Sequence, residues 1–303
     1  MSEGSPPMME FINFYLIPGL ALGAIYALGA IGISMIFGIL RFAHFAHGDV
    51  MTLGAYGTLT AVWVSGLHPL LMLPVGIVLA VAAALAVDKV FYKPLRELPT
   101  IYTVIASFGV ALIFRSLIQL IWGSQNEVFI RGVQKPVVLF DLFRVSLLHL
   151  ESIAIIVLVA AALHYFLSRT RTGRSMRAVS DNAELARVAG LDTEKVVRAT
   201  WIIGASLAAI AGVLAGLDTN IQPNLGWNLI LPMFAAAILG GIGKPMGALL
   251  GGMVIGLVEE LSSYPWLTDE PLINPSYKTA TAFLMMVILL IFRPQGLLKG
   301  RLF

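Results

Sequence analysis

The chain has 303 residues, 58% of them hydrophobic and only 12% charged, with a formal net charge of +3. Soluble domains carry about 25% charged residues, so this composition excludes a soluble globular protein, and it holds no basic surface of the kind that binds nucleic acid. Cysteine is absent, which excludes disulfides and thiolate metal sites.

Apolar runs of about 20 residues are the mark of membrane-spanning helices. Candidate spans fall at roughly 11–40, 48–66, 70–87, 101–122, 149–167, 196–217, 229–243, 247–262 and 277–292. Barrel strands would instead alternate polar and apolar residues over about 10 positions. The predicted fold class is all-α, a polytopic transmembrane helical bundle of about eight to nine spans. The range reflects 229–243 and 247–262, which are short and share a Gly-rich hinge, so half-helices are an alternative. The opening MSEGSPPMMEF has no Lys or Arg, which argues for a retained first helix over a cleaved signal. Thirty helical residues at 11–40 run roughly 45 Å against about 30 Å of hydrocarbon. This run must tilt, extend beyond the bilayer, or break near Pro18 or Gly38.

Lys and Arg set the orientation. With the N-terminus outside and the C-terminus cytoplasmic, 15 of the 20 basic residues fall in inner loops, including the cluster from Arg169 to Arg198. Trp63, Trp122, Trp227 and Trp266 then sit near outer ends, as an interfacial belt does.

Between the first two spans lies a polar knot, Arg41-Phe-Ala-His-Phe-Ala-His-Gly-Asp49. Two histidines, an arginine and an aspartate are costly at the edge of a lipid-embedded run unless they meet water, each other or a ligand. A metal site needs more ligands than His44, His47 and Asp49 supply, so no metal is expected. Two readings stay open: Asp49 favours the N-terminus of the second span through the helix dipole, or His44, His47 and Asp49 line a gate near the inner face. Arg115 lies inside the fourth span. It snorkels outward, pairs with Glu259, Glu260 or Asp218, or meets a substrate carboxylate.

The inner loop 168–195 is organised. Asp181 followed by Glu184 resembles a capping box, Ala183 to Ala189 are helix formers, and Gly190 is a natural stop. A two-turn helix over about 182–189 is predicted, with Asp192 capping the next span. So short a helix is marginal in water and needs something to dock against.

Four stretches carry a family resemblance. Thr172-Gly-Arg-Ser-Met-Arg-Ala-Val-Ser-Asp-Asn-Ala-Glu-Leu-Ala-Arg-Val-Ala-Gly190 resembles the cytoplasmic loop of LivH-type permeases, membrane subunits of ATP-binding-cassette (ABC) importers for branched-chain and other hydrophobic amino acids. Phe45-Ala-His-Gly-Asp49, Leu239-Gly-Gly-Ile-Gly243 and Arg293-Pro-Gln-Gly-Leu297 are similar to its early motif, glycine turn and C-terminal ending. One position departs: His44 stands where the family usually has Asn.

The resemblance implies a single transmembrane permease domain over 1–303, with 168–195 as a cytoplasmic coupling loop. Asp181, Asn182, Glu184, Leu185, Arg187, Val188 and Gly190 would form the coupling helix that sits in an ATPase groove. It implies a multi-pass protein of the bacterial inner (cytoplasmic) membrane. The implied partners are a second homologous permease in a heterodimer, two cytoplasmic ATPases and a periplasmic substrate-binding protein. It implies no cofactor. Relatives that carry urea, amides or aromatic acids keep the substrate open. The chain is not expected to be an enzyme, because Gly243-Lys244 is followed by Pro245 where a phosphate loop needs Ser or Thr. An ion-coupled secondary transporter is the rival class; it needs ionisable residues deep in the spans, and the sequence places almost none there.

Overall fold

The computed structural model describes residues 7–130, 132, 136–139, 143–266, 273–274, 277–292 and 296–298. The first helix, α1 (Met8–Leu40), is unbroken. Of the three alternatives, tilt, extension or a break near Pro18 or Gly38, the break does not occur; a π turn over Ile12–Leu16 stands immediately before Pro18. Pro18 has no N–H to donate, and a wider turn just ahead of it absorbs the register change. α1 ends where Arg41 adopts a left-handed φ of 61° and donates its N–H to the Phe37 carbonyl at 2.9 Å.

Next come α2 (His47–Ser65), α3 (Pro69–Leu95) and α4 (Thr100–Trp122). A short antiparallel pair, β1 (Val137–Leu139) and β2 (Phe143–Val145), lies in the stretch between α4 and α5 (Leu147–Arg169). Two helices fill the inner loop, α6 (Arg171–Asp181) and α7 (Ala183–Val188). Then follow α8 (Thr193–Asp218), α9 (Leu225–Gly240), α10 (Pro245–Leu261) and α11 (Lys278–Phe292). Every predicted apolar run is a helix. Five of them (α1, α3, α4, α5 and α8) are long and apolar enough to cross a membrane by themselves. α9 has 16 residues and α10 has 17, about 24–26 Å of helix against about 30 Å of hydrocarbon.

The bundle is layered by burial. The most apolar windows of α1 and α8 are 83% and 72% buried, against 22%, 28% and 17% for α3, α4 and α5. α1 and α8 therefore form the centre, and α3, α4 and α5 turn apolar faces outward. Glycine lets the centre close. A Cβ on Gly252 would overlap the Ala27 backbone, one on Gly256 would overlap Gly23, and one on Gly23 would stand 3.0 Å from the Met253 Cα. In lipid no hydrophobic force drives helix against helix, so close backbone approach through small residues supplies the packing.

Several charges expected in loops are held in pairs. Glu259 is 3% exposed and accepts from Tyr26 Oη at 3.0 Å and Thr279 Oγ1 at 2.8 Å. Glu260 pairs with Lys278 at 2.6 Å, and His149 Nε2 lies 3.2 Å from Asp218. At the end that carries α6 and α7, Arg96 bonds Asp88 at 2.7 Å and Glu194 at 2.8 Å, tying α3 to the start of α8.

Candidate functional site

The knot does not lie at the inner rim where topology alone would put it. After Arg41 the chain folds back up into the bundle, and His44, His47 and Asp49 are 2%, 1% and 0% exposed. Three neighbours fix its depth. The Phe45 N–H donates to Ser107 Oγ at 3.3 Å. The His47 ring abuts Gly32, where a Cβ would stand 2.7 Å from Cε1. Asp49 meets Arg115. Ser107 and Arg115 lie seven and fifteen residues along α4, so the knot climbs from about 10 to about 22 Å above the start of that helix.

Aromatic packing holds it there. The His44 ring stands edge-on to Trp201 at 4.9 Å and to Tyr92 at 5.4 Å, and its Nε2 is 3.0 Å from Tyr92 Oη. Tyr92 and Trp201 stack at 5.4 Å. Trp201 is 1% exposed and belongs to this cluster. His44 is thus a wedge between α3 and α8.

Asp49 does begin α2, in its first turn, where the helix dipole favours a carboxylate. Its second role comes from α4. Arg115 donates Nε to Oδ1 at 3.2 Å and Nη2 to Oδ2 at 3.3 Å. Asp49 therefore replaces Glu259, Glu260 and Asp218 as the partner of Arg115. The guanidinium also lies 4.7 Å from the Trp227 ring centroid on α9, a cation–π contact. Neither partner could be found from helix periodicity, because each lies on a different helix more than 60 residues away. With Glu259, this pair puts more ionisable groups inside the helices than the sequence suggested. Among the described residues no three His, Asp or Glu side chains converge as a metal site would require.

A fold-level detail sharpens the inner loop. Thr170 Oγ1 accepts from the Gly173 N–H at 3.0 Å and caps α6, a helix not anticipated. The spacing of Gly173, Met176 and Val179, which are buried while Arg171, Arg174 and Arg177 are exposed, is the amphipathic signal that could have found it. Asp181 ends α6, so the cap of α7 is Asn182, not Asp181. Asn182 Oδ1 accepts from the N–H groups of Glu184 and Leu185, both at 3.0 Å. Asn182 is extended, φ −154° and ψ 106°, the geometry an N-cap needs. Gly190 stops α7 with φ 83°, while Leu191 N–H returns to the Ala186 carbonyl at 3.0 Å. Asp192 caps α8 as expected, accepting from Lys195 N–H at 3.1 Å, and that bond holds its carboxyl below the usual range. α7 buries Ala186 but leaves Leu185 66% and Val188 86% exposed, beside exposed Glu184 and Arg187.

Comparison with known proteins gives this geometry a family. The sequence model for the branched-chain amino acid transport system / permease component matches residues 15–290. The high-affinity branched-chain amino acid transport system permease protein LivH of Escherichia coli is 32% identical over 95% of this chain and 96% of its own length. BraD of Pseudomonas aeruginosa, which carries the same description, is 30% identical over 93% and 94%. A probable LivH of Methanocaldococcus jannaschii is 29% identical over 88% and 86%. Among solved structures, PsaBC from Streptococcus pneumoniae in complex with Fab superposes with a TM-score of 0.53 over 95% of both chains at 13% identity, a likeness of fold. The chain is a multi-pass membrane protein, and it belongs to the family of permease components of branched-chain amino acid transport systems.

Proposed function

We propose that the chain is the transmembrane permease subunit of an ABC importer, and that it carries branched-chain or other hydrophobic amino acids across the inner membrane by alternating access. All of 1–303 would then be one permease domain, with the N-terminus outside and 168–195 facing the cytoplasm. It would pair with a homologous permease, two ATPases that perform the hydrolysis, and a periplasmic binding protein. The observation that carries this reading is α7. A six-residue helix is marginal alone. This one is capped at Asn182, stopped at Gly190, and presents Leu185 and Val188 outward from the bundle. Exposed aliphatic side chains flanked by charge, on a helix clear of the apolar spans, suit a groove in a soluble partner. Asp181 would position this element from the end of α6, and Glu184 and Arg187 would border the contact.

The pathway candidates divide on this reading. His44 and His47 are wedged among helices and hold the knot in place, whereas Arg115 keeps an outward edge.

The test is Glu184→Ala with Arg187→Ala, and separately Leu185→Glu with Val188→Glu, in the assembled importer. Uptake and ATPase co-purification should fall while membrane insertion stays intact. ATPase subunits recovered at wild-type yield with unchanged uptake would refute the coupling role.

A further inference from the structure

One face of the bundle combines a guanidinium at membrane depth with an apolar chamber. Arg115 is fifteen residues into α4, its side chain 16% exposed. A part-exposed arginine facing hydrocarbon at that depth is costly, so this face meets water or a polar ligand. Asp49 and the Trp227 ring fix the guanidinium in place. Asp49 takes Nε and Nη2, which leaves the Nη1 donors uncommitted among the described residues.

Trp227, Leu231 and Phe234 follow at i, i+4 and i+7 on one stripe of α9. Trp227 is 39% and Leu231 51% exposed. Leu231 and Phe234 line a half-open pocket of about 290 Å³ with apolar walls, to which Phe37, Phe45, Ile238 and Met286 also contribute. Phe45 of the knot stacks on Phe108 at 4.1 Å and tilts against Phe234 at 5.0 Å, forming an aromatic constriction in the cavity wall. Leu231 lies four residues from Trp227, about 6 Å along the helix axis.

We propose that this face is a substrate site for a monocarboxylate with an apolar side chain: the carboxylate bonds Arg115 and the side chain enters the cavity at Leu231. Asp49 and Trp227 are positioning residues that keep the guanidinium aimed. Leu231, Phe234 and Phe45 set the size of side chain accepted. The proposal rests on the transport reading above and narrows it, because a hydrophobic amino acid brings both a carboxylate for the guanidinium and an apolar side chain for the pocket, whereas urea carries neither a charge nor an apolar group.

The chain has no cysteine, so single-cysteine variants report on one position each. In the complete importer in proteoliposomes, Leu231→Cys is compared with Leu158→Cys, a 69% exposed position midway along α5. A charged, water-soluble thiol reagent should label Leu231→Cys at least about tenfold faster, since lipid excludes such a reagent, and leucine should slow that labelling. Leu231→Trp should lower the leucine-to-alanine uptake ratio by about tenfold, the scale set by one or two methylenes in an apolar pocket. Labelling as slow as at Leu158→Cys, or an unchanged uptake ratio, overturns the site while leaving the transport reading intact. A wild-type importer that carries urea and not leucine instead refutes the amino-acid reading itself, and the site falls with it.

Discussion

Arg115→Met should be the most damaging single change to the ion pair. It strands the Asp49 carboxylate, whose side chain is 0% exposed. Asp49→Asn is milder: the amide oxygen can still accept from Arg115, and the guanidinium keeps its Trp227 ring at 4.7 Å and its 16% exposure. Removing one partner of a buried pair costs about 3–5 kcal/mol, and Arg115→Met belongs in that range. Asp49→Asn belongs nearer about 1–2 kcal/mol, the scale of a weakened hydrogen bond to a charged group. The double variant removes both charges together. Neutral replacement of a whole buried pair is close to neutral, so the double variant should be more stable than Arg115→Met alone, with a coupling of about 2 kcal/mol or more. Unfolding of the three variants in one detergent, followed by tryptophan fluorescence, gives the order directly. A double variant whose loss equals the sum of the two singles would refute the assignment of this pair as mutually dependent.

Gly252→Leu and Gly256→Ala force side-chain atoms into the α1 backbone and should cost about 1–3 kcal/mol or more, read as lost monodisperse yield on size exclusion. Gly109→Ala on α4, where a Cβ meets nothing within 4 Å, should be silent in the same assay. His44→Ala and Tyr92→Phe should each lower thermal stability, the second by about 1–3 kcal/mol for an unpartnered imidazole, and leave the leucine-to-alanine uptake ratio unchanged; a shifted ratio would put His44 in the pathway. Asn182→Ala should weaken α7 by about 1 kcal/mol, and Gly190→Val should strain its left-handed stop by about 1–2 kcal/mol. Both should raise proteolysis within 168–195 without changing protein yield.

What the sequence made legible is what repeats locally. The apolar runs became helices because each span's hydrophobicity is a property of consecutive residues. Gly190 and Asp192 were readable for the same reason, since a stop and a cap act within a few residues. The cap of α7 was misplaced by one residue because Asp181 and Asn182 are both good caps, and only the backbone decides which is extended. The depth of the knot was not legible. A charge-rich stretch between two spans reads as a rim, and only tertiary partners reveal that Phe45, His47 and Asp49 climb alongside α4. His44 departs from the family's usual Asn and is one of the gate candidates. Its ring is enclosed by Tyr92 and Trp201, and the pocket residues Leu231, Phe234 and Phe45 are ordinary Leu and Phe, which carry no signal in a chain so rich in both.

The placement of α7 also constrains how a push on it can travel. Its two ends attach to different kinds of helix. Upstream, α6 joins α5, whose apolar window is only 17% buried and which has few neighbours to resist it. Downstream, Gly190–Asp192 leads directly into α8, 72% buried and packed on α1 and α2. Eight residues into α8, about 12 Å along its axis, Trp201 meets the His44 ring of the knot. Interiors this densely packed shift between discrete arrangements and do not flex continuously. If α7 is the ATPase contact proposed above, a displacement of it reaches α8, the helix that contacts the knot, through the short link Gly190–Asp192. The knot carries Phe45 at the constriction and Asp49 at Arg115. On that proposal the two attachments are unequal, a loosely buried α5 upstream and a central α8 downstream, and the inequality sets which helix passes a push toward the knot.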